Sequence, residues 1–276
     1  MVLYCQTGVD DESSFYFLRL LLSVEVFGKV VLHWLGRVKF TLSVYFIYRG
    51  IYGHMSKSRA LTKSEIKHAL SICNLMTHSE GKRCALVLSH SAMRVTEIAL
   101  LQTKSILHPS GKIRKEIYLP ASICKGLKPR TIWLTNKLFR EIIQDWIDYR
   151  LSKNWGTVID GVEYQGLIPN SRFLYSNRGR PYALTKKDRL MQDGSTKTYW
   201  ASDALEHIIR QIYKKAGLYG ASSHSGRRSF ATNAIYSGRA TIEQVSTILG
   251  HSDLQTTYGY IHFDENWLAE LYKLGL

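Results

Sequence analysis

The chain carries side chains of the types that a metal-free attack on a phosphodiester requires. A hydroxyl must attack the phosphorus, cations must neutralise the extra charge on the non-bridging oxygens, and an acid must protonate the departing oxygen. Arginine suits phosphate oxygens because its planar guanidinium donates in a fork. The C-terminal 55 residues supply His224, Arg227, His251 and Tyr260, and a turn upstream carries the lysines Lys125 and Lys128.

The two histidines, the arginine and the tyrosine lie in one short stretch of the chain. His224 and Arg227 are three residues apart, which places them on one face of a helix start, and helix N-termini favour phosphate. The turn Leu249-Gly250-His251 follows, and Tyr260 comes nine residues after His251. Two neighbours compete for the same roles: Tyr258 for the nucleophile, and Lys128 for the acid at the turn that carries Lys125.

This stretch resembles the C-terminal signature of the tyrosine recombinases, the family of phage integrases, chromosome-dimer resolvases and fimbrial-switch invertases. The signature is His-x-x-Arg, then Leu-Gly-His, then Thr-Thr-x-x-Tyr, which the chain carries at Thr256–Tyr260. Upstream, Arg94 resembles the first arginine of the family, with Glu97 as its acidic partner, and Lys125 corresponds to the hairpin lysine. The resemblance covers roughly residues 59–272.

The resemblance implies an enzyme that cuts and rejoins DNA through a 3′-phosphotyrosine intermediate, in integration, excision or inversion. Tyr260 would attack the phosphorus, Arg94 and Arg227 would clamp the non-bridging oxygens, and Lys125 would protonate the 5′ oxygen. The two histidines would position groups or shuttle protons. The expected partner is double-stranded DNA, on which the protein would assemble as a homo-oligomer, a tetramer, and we expect neither a cofactor nor a metal ion.

Two positions depart from the family pattern. Ala92-Met93 precedes Arg94 where the family has Gly-Leu, and Gly226 replaces the leucine before Arg227. Neither departure alters a charged group, so we interpret both as variation in packing.

Composition supports an anionic partner. The chain has 37 Lys and Arg against 22 Asp and Glu, a formal charge of +15, which favours nucleic acid first and an anionic membrane surface second. The longest uncharged run in the apolar segment 15–53, Phe40 to Tyr48, is far short of the roughly 20 residues that span a bilayer. The four cysteines and ten histidines have no metal-site or redox-pair spacing. We therefore expect a cytoplasmic protein without a membrane partner.

Three other functions compete with recombination. A type IB topoisomerase resembles the recombinases in its catalytic residues and would relax DNA that lacks any target site. A non-catalytic DNA-binding relative would form no covalent adduct. A protein of the membrane surface is a distant third.

The predicted fold is α+β and mostly α, a tyrosine-recombinase-like catalytic domain with a small antiparallel β-hairpin. Capping signals and apolar periodicity predict helices, and β-branched runs predict strands at 116–124 and 131–134. Residues 152–200 are predicted to be irregular. The predicted helices cover residues 62–75, 83–89, from about 91, 137–151, 202–215, 224–236, 241–249, 253–262 and 264–274.

Two domains are predicted. Residues 1–54 form an uncertain N-terminal extension, and residues 55–276 form the catalytic domain with a C-terminal tail helix. The extension lacks the capping signals of every later helix, so we favour Met55 as the native start, which would give the minimal architecture of the fimbrial-switch invertases. The apolar stripe of the tail helix is expected either to contact a neighbouring subunit or to pack on its own domain.

Overall fold

The computed structural model describes residues 58–159, 161–191, 194–251 and 253–261, and the backbone of two short strands near the N-terminus. The chain divides into two compact units, Met1–Lys57 and Ser58–Leu276. In the first unit, β1 (Leu22–Val24) pairs antiparallel with β2 (Val30–Leu32). The rest of the predicted extension and the predicted tail helix lie outside the described residues.

The second unit is mostly helical, with two antiparallel hairpins, so the predicted fold class is confirmed. The first hairpin pairs β3 (Glu116–Leu119) with β4 (Arg130–Trp133), and the second pairs β5 (Thr185–Leu190) with β6 (Thr196–Ala201). The described helices are α1 Lys63–Asn74, α2 Ser79–His90, α3 Val95–Leu100, α4 Thr103–Ile106, α5 Lys137–Ser152, α6 Asp203–Lys215, α7 Ser225–Tyr236, α8 Ile242–Leu249 and α9 Leu254–Tyr258.

Local capping explains where several helices begin and end. Before α1, the Thr62 hydroxyl accepts the Glu65 backbone N–H, and the Glu65 carboxylate accepts the Thr62 backbone N–H. Thr241 and Gln244 make the same reciprocal pair at the start of α8. Gly250 ends α8 in the left-handed conformation, with a φ of 62°. The predicted starts of these two helices are confirmed to within a residue.

Helix α2 is the central element of the core. It packs against α1, α5, α6 and α7, and every residue from Cys84 to His90 is buried. A helix that is surrounded in this way has little freedom to shift. The chain leaves its last residue, His90, and reaches Arg94 four residues later, so the core fixes the position of the first predicted catalytic arginine.

Three sequence predictions need correction. Residues 185–201 are not irregular but form the β5–β6 hairpin, whose six cross-strand pairs run from Thr185 opposite Ala201 to Leu190 opposite Thr196. Nearly all of its residues are exposed, so the strands have no buried face to impose the apolar alternation that predicts a strand. Strand β3 ends at Leu119 because Pro120 has no N–H to pair. Helix α2 begins at Ser79, four residues earlier than predicted, without a side-chain cap.

The glycine at position 226 permits a close helix crossing. A Cβ added there would lie 2.3 Å from Ser89 Oγ and 2.7 Å from the Ser89 carbonyl carbon and oxygen. Helix α7 therefore approaches α2 too closely for any side chain at this position. The leucine of the family pattern would not fit this crossing.

Gly226→Ala is expected to destabilise the protein by about 1–3 kcal/mol, although alanine normally favours a helix over glycine by about 1 kcal/mol. Urea unfolding followed by circular dichroism measures this difference. Adding Ser89→Gly should restore only part of the loss, because the clash with the Ser89 backbone remains. A Gly226→Ala protein as stable as the wild type would show that the helices separate at little cost.

Candidate active site

A buried carboxylate organises the base of the site. Glu97 in α3 is 0% exposed, and Arg130 from β4 donates to both of its oxygens at 2.6 Å. Arg94 Nη1 donates to the same carboxylate at 2.9 Å, and the Arg94 backbone N–H donates at 2.6 Å. Burial acts to raise the Glu97 pKa, but the Arg130 hydrogen bonds and the charges of Arg130, Arg227 and Arg94 outweigh it and lower the pKa. Glu97 therefore stays ionised and holds these arginines.

Two backbone carbonyls connect the three guanidinium groups. Arg227 is 1% exposed; its Nη2 donates to the Leu249 carbonyl at 2.6 Å and its Nη1 donates to the Ala92 carbonyl. Arg94 Nη2 also donates to Leu249, at 3.3 Å, and Arg130 Nη2 to Ala92, at 3.1 Å. Desolvation and the neighbouring Arg94 charge lower the Arg227 pKa to about 10, which still leaves it protonated at neutral pH. Three cations around one carboxylate give the site an excess of positive charge.

Ala92 adopts a backbone conformation that favours glycine. Its φ is 66°, in the left-handed region, which disfavours alanine by about 1–2 kcal/mol. In the family pattern, glycine occupies the position of Ala92 and leucine the position of Met93. Because the Ala92 carbonyl accepts both Arg130 and Arg227, the arginine contacts help to hold this conformation.

Tyr260 lies beside the cationic cluster. The Arg227 Cζ atom is 5.9 Å from the Tyr260 ring centroid, and the His251 ring centroid is 4.7 Å from it. Helix α9 ends two residues earlier, and the Tyr260 backbone N–H donates to the Thr257 carbonyl at 2.9 Å. The competing Tyr258 has 49% of its surface exposed. The contacts with arginine and histidine therefore belong to Tyr260.

His251 is held in a neutral form. Its Nδ1 lies 2.8 Å from Thr257 Oγ1. Desolvation, followed by the charges of Arg227 and Arg94, lowers its pKa to about 4. A neutral imidazole at pH 7 can exchange a proton or hydrogen-bond to a phosphate oxygen through Nε2, for which the described residues provide no partner.

His224 and Lys125 lie at the rim of the site. His224 occupies the N-cap position of α7, and although its side chain is exposed, desolvation by its packed surroundings lowers its pKa, with a further contribution from Arg227. Lys125 is exposed at the start of a 3₁₀ turn, Lys125–Leu127, in the β3–β4 connection. It is near enough to His251 for its charge to help lower the His251 pKa. The competing Lys128 is also exposed.

The six predicted residues thus fall into two groups. One group lies together and comprises Arg94, Arg227, His251 and Tyr260. The other group, His224 and Lys125, lies at the rim and makes no direct hydrogen bond to the first group in the described residues. Their catalytic roles remain predictions.

Sequence reasoning missed two contributors to the site. Arg130 was not singled out from the sequence. Arg130 and Ile132 are two residues apart in β4 and both are buried, so the alternation of a strand could have indicated an inward-facing arginine. Thr257 was noted only as part of a motif, but it is fully buried and positions His251.

Replacing the buried carboxylate should weaken the whole cluster. We expect Glu97→Gln to lower the free energy of unfolding by about 3–5 kcal/mol, because it leaves the buried Arg130 charge without its counter-ion. Urea denaturation would measure it. The double variant Glu97→Gln/Arg130→Met should recover part of this loss, since removing both partners of a buried pair is far less harmful than removing one. If the single variant stays within about 0.5 kcal/mol of the wild type, the carboxylate does not hold the arginines.

Two features are absent from the described part of the chain. Among residues 58–159, 161–191, 194–251 and 253–261, no three His, Cys, Asp or Glu side chains are grouped as a metal site would require. No helix in those ranges combines the length and hydropathy of a membrane span.

Residues 59–266 match the sequence model of the phage integrase family. Among curated proteins, tyrosine recombinase XerC of Lactobacillus leichmannii is 39% identical over 74 residues, which are 26% of this chain and 25% of that protein. Tyrosine recombinase XerD of Rickettsia bellii is 26% identical over 214 residues, 76% of this chain and 61% of that protein. The matches therefore span less than two thirds of either relative.

Solved structures show the same fold. The crystal structure of XerA recombinase superposes with a TM-score of 0.56 at 22% identity, covering 78% of this chain and 64% of that one. XerH site-specific recombinase, bound to palindromic difH substrate in a post-cleavage complex, gives a TM-score of 0.52 at 20% identity, covering 77% and 51%. The family match runs from before α1 to beyond Tyr260, over most of the sequence, and the chain belongs to the phage integrase family.

Proposed function

We propose that this protein is a site-specific DNA recombinase that cleaves and rejoins DNA strands through a 3′-phosphotyrosine on Tyr260. The observation that carries the proposal is the placement of Tyr260 beside a buried arginine, 5.9 Å from its ring, and a neutral histidine, 4.7 Å away. A nucleophile, cations and proton-transfer groups are what transesterification of a phosphodiester requires.

Cleavage exchanges one phosphoester for another. The Tyr260 oxygen forms a bond to phosphorus as the bond to the 5′ oxygen breaks, and the phenolic proton passes to a neutral histidine, His251 or His224. Lys125 donates a proton to the departing 5′ oxygen, which leaves as a hydroxyl. The phosphodiester charge is unchanged, so no external energy source is needed, and rejoining is the same exchange run in reverse by a 5′ hydroxyl.

The arginines act on the transition state. The attacked phosphorus carries more negative charge on its non-bridging oxygens than the ground state does, and donors already fixed in place stabilise that charge without reorganisation. Arg94 and Arg227 share the Leu249 carbonyl and are anchored through Glu97 and Ala92. Because no step uses a metal ion, activity should be unaffected by EDTA.

The partners and location follow from this chemistry. The formal charge of +15 suits double-stranded DNA. We propose that copies of the chain assemble on DNA as a homo-oligomer, a tetramer, because exchanging two duplexes requires four strand cleavages. The enzyme would act in the cytoplasm, where its DNA substrate is found.

Trapping the covalent intermediate tests the proposal. The substrates are nicked duplexes. One set tiles the DNA on both sides of the gene, and a second set is a pool of randomised sequences. Cleavage next to the nick releases a short fragment, so the cut strand cannot be rejoined and the protein stays attached. We expect an SDS-resistant protein–DNA adduct on a few related duplexes, which mass spectrometry should locate on Tyr260. An adduct on another residue, or none in the whole pool, would contradict the proposal. Relaxation of plasmids that lack the selected sequence would instead indicate a topoisomerase.

A further inference from the structure

The β5–β6 hairpin carries an exposed cationic face. Because side chains alternate along a strand, Lys187, Arg189, Lys197 and Tyr199 share one face of the ribbon. This set is called the basic face below. Arg189, Lys197 and Tyr199 are exposed, and Lys187 is partly exposed. Three of its four members are cations, which makes it a surface for an anion.

Two cations on the basic face lie directly opposite each other. Arg189 pairs with Lys197 in the strand register, and neither has a salt bridge to a carboxylate among the described residues. Like charges in directly opposed positions destabilise a hairpin. An anion between these two side chains would remove that repulsion. Lys187 differs, because its Nζ lies 2.5 Å from an Asp203 oxygen.

The opposite face lacks this charge. It carries Lys186 across from Trp200, and Asp188 accepts a hydrogen bond from Thr198 at 2.5 Å. One cation and one carboxylate leave no net charge there. The asymmetry between the two faces therefore lies in their charge, and it assigns the anion to the basic face.

An aromatic side chain accompanies the cations on the basic face. Tyr199 is 43% exposed there, whereas the more exposed Trp200, at 58%, lies on the opposite face. Exposed aromatic and basic residues in alternation suit nucleic acid, where cations contact phosphates and rings contact sugars or bases. A strand of six residues is about 20 Å long, and a two-stranded ribbon is narrow enough to enter the major groove.

The base of the hairpin lies near the active site. Strand β6 packs beside α3, the helix that begins immediately after Arg94. The hairpin and Arg94 therefore both adjoin the same six-residue helix. This placement distinguishes the basic face from a charged surface on a remote part of the domain.

We propose that the basic face of the β5–β6 hairpin is a second DNA-binding element, which contacts the phosphate backbone outside the cleaved position. The inference rests on the proposed function, since it requires DNA as the substrate. It adds a binding surface that is separate from the residues around Tyr260. The element would contribute affinity for DNA and leave the chemical step unchanged.

Salt-dependent DNA binding tests the inference on the full chain. The probe is a fluorescein-labelled duplex of about 40 bp and mixed sequence, titrated by anisotropy between about 50 and 200 mM NaCl. The variant Arg189→Gln/Lys197→Gln should reduce the slope of log Kd against log salt by about 2, since each neutralised phosphate contributes about 0.9. At about 0.1 M salt the Kd should be weaker by roughly 10- to 100-fold.

Matched variants separate this effect from charge alone. Lys214→Gln/Lys215→Gln removes the same charge from exposed positions at the C-terminal end of α6, whereas the hairpin precedes the N-terminal end of this helix. For this variant the slope of log Kd against log salt should stay near the wild-type value. Arg189→Lys/Lys197→Arg keeps both charges and should also retain the slope. Equal slopes for the two glutamine pairs would overturn the inference. So would a hairpin variant that changes only self-association, measured by sedimentation without DNA, because the occupant would then be a second copy.

The outcomes remain distinct from those of the proposed function. If the wild type forms the Tyr260 adduct but the hairpin variant binds DNA normally, only the inference fails. If no adduct forms while the hairpin variant loses its salt slope, the recombinase proposal fails and the binding surface stands.

Discussion

Tyr260→Phe is expected to abolish the covalent protein–DNA adduct and to leave DNA binding within about twofold of the wild type, since a single hydroxyl contributes little to phosphate contacts. The ring still packs beside His251 and Arg227, so the site keeps its shape. The nucleophilic oxygen is absent, so the bond from Tyr260 to phosphorus cannot form. SDS gel electrophoresis of the reaction with the nicked duplex measures the amount of covalent adduct. Fluorescence anisotropy with the same duplex measures the Kd for DNA.

Tyr258→Phe is the matched control. The two tyrosines are two residues apart, but Tyr258 has about half of its surface exposed, and the described arginine and histidine ring contacts belong to Tyr260. The Tyr258→Phe protein should form the adduct at the wild-type rate. An adduct that survives Tyr260→Phe and disappears with Tyr258→Phe would assign the nucleophile to the exposed residue and contradict the geometry.

Arg227→Ala is expected to slow cleavage by about 10²–10³-fold or more, because a fixed donor to the charge of the transition state is removed from a water-poor site. DNA binding should fall far less, since phosphate contacts elsewhere are retained. Single-turnover cleavage of the nicked duplex at saturating protein measures the chemical step alone. Arg227→Lys should restore charge but not the paired contacts to Ala92 and Leu249, so its rate should lie between the two.

Arg150→Ala controls for loss of a buried arginine. Arg150 is also fully buried and donates to the carbonyls of Trp155 and Phe173, within the core around α5. Its removal should lower stability, as removal of Arg227 does, but the cleavage rate per folded molecule should be unchanged. If Arg150→Ala and Arg227→Ala slow cleavage equally once stability is accounted for, Arg227 has only a structural role.

The departures from the family pattern at positions 92 and 226 show the limit of reading residues one at a time. Both were interpreted as packing variation, and the structure gives each a specific constraint. Gly226 faces the Ser89 backbone across a helix crossing, and Ala92 adopts a left-handed conformation under two arginines. The Gly226 constraint comes from Ser89, which is distant in the sequence, so no pattern near this residue could predict it.

The sequence by itself determined the helix starts at Thr62 and Thr241, the helix end at Gly250, and the order of the six proposed site residues. Helix capping and left-handed helix termination depend on residues within one turn of each other, so both can be predicted from the local sequence. The net charge that favours a polyanion is a property of composition alone.

Only the tertiary structure decided which of these residues meet. Arg130 joins Glu97 across 33 positions, and Arg227 reaches the Ala92 carbonyl across 135. Such contacts depend on the packing of α2 against α7 and of α8 against β4, which no local pattern encodes. The β5–β6 hairpin was missed for a related reason: strand periodicity reflects burial of one face, and this ribbon is exposed on both. Its strands are held by cross-strand pairing, by the contact of β6 with α3 and by the salt bridge from Lys187 to Asp203.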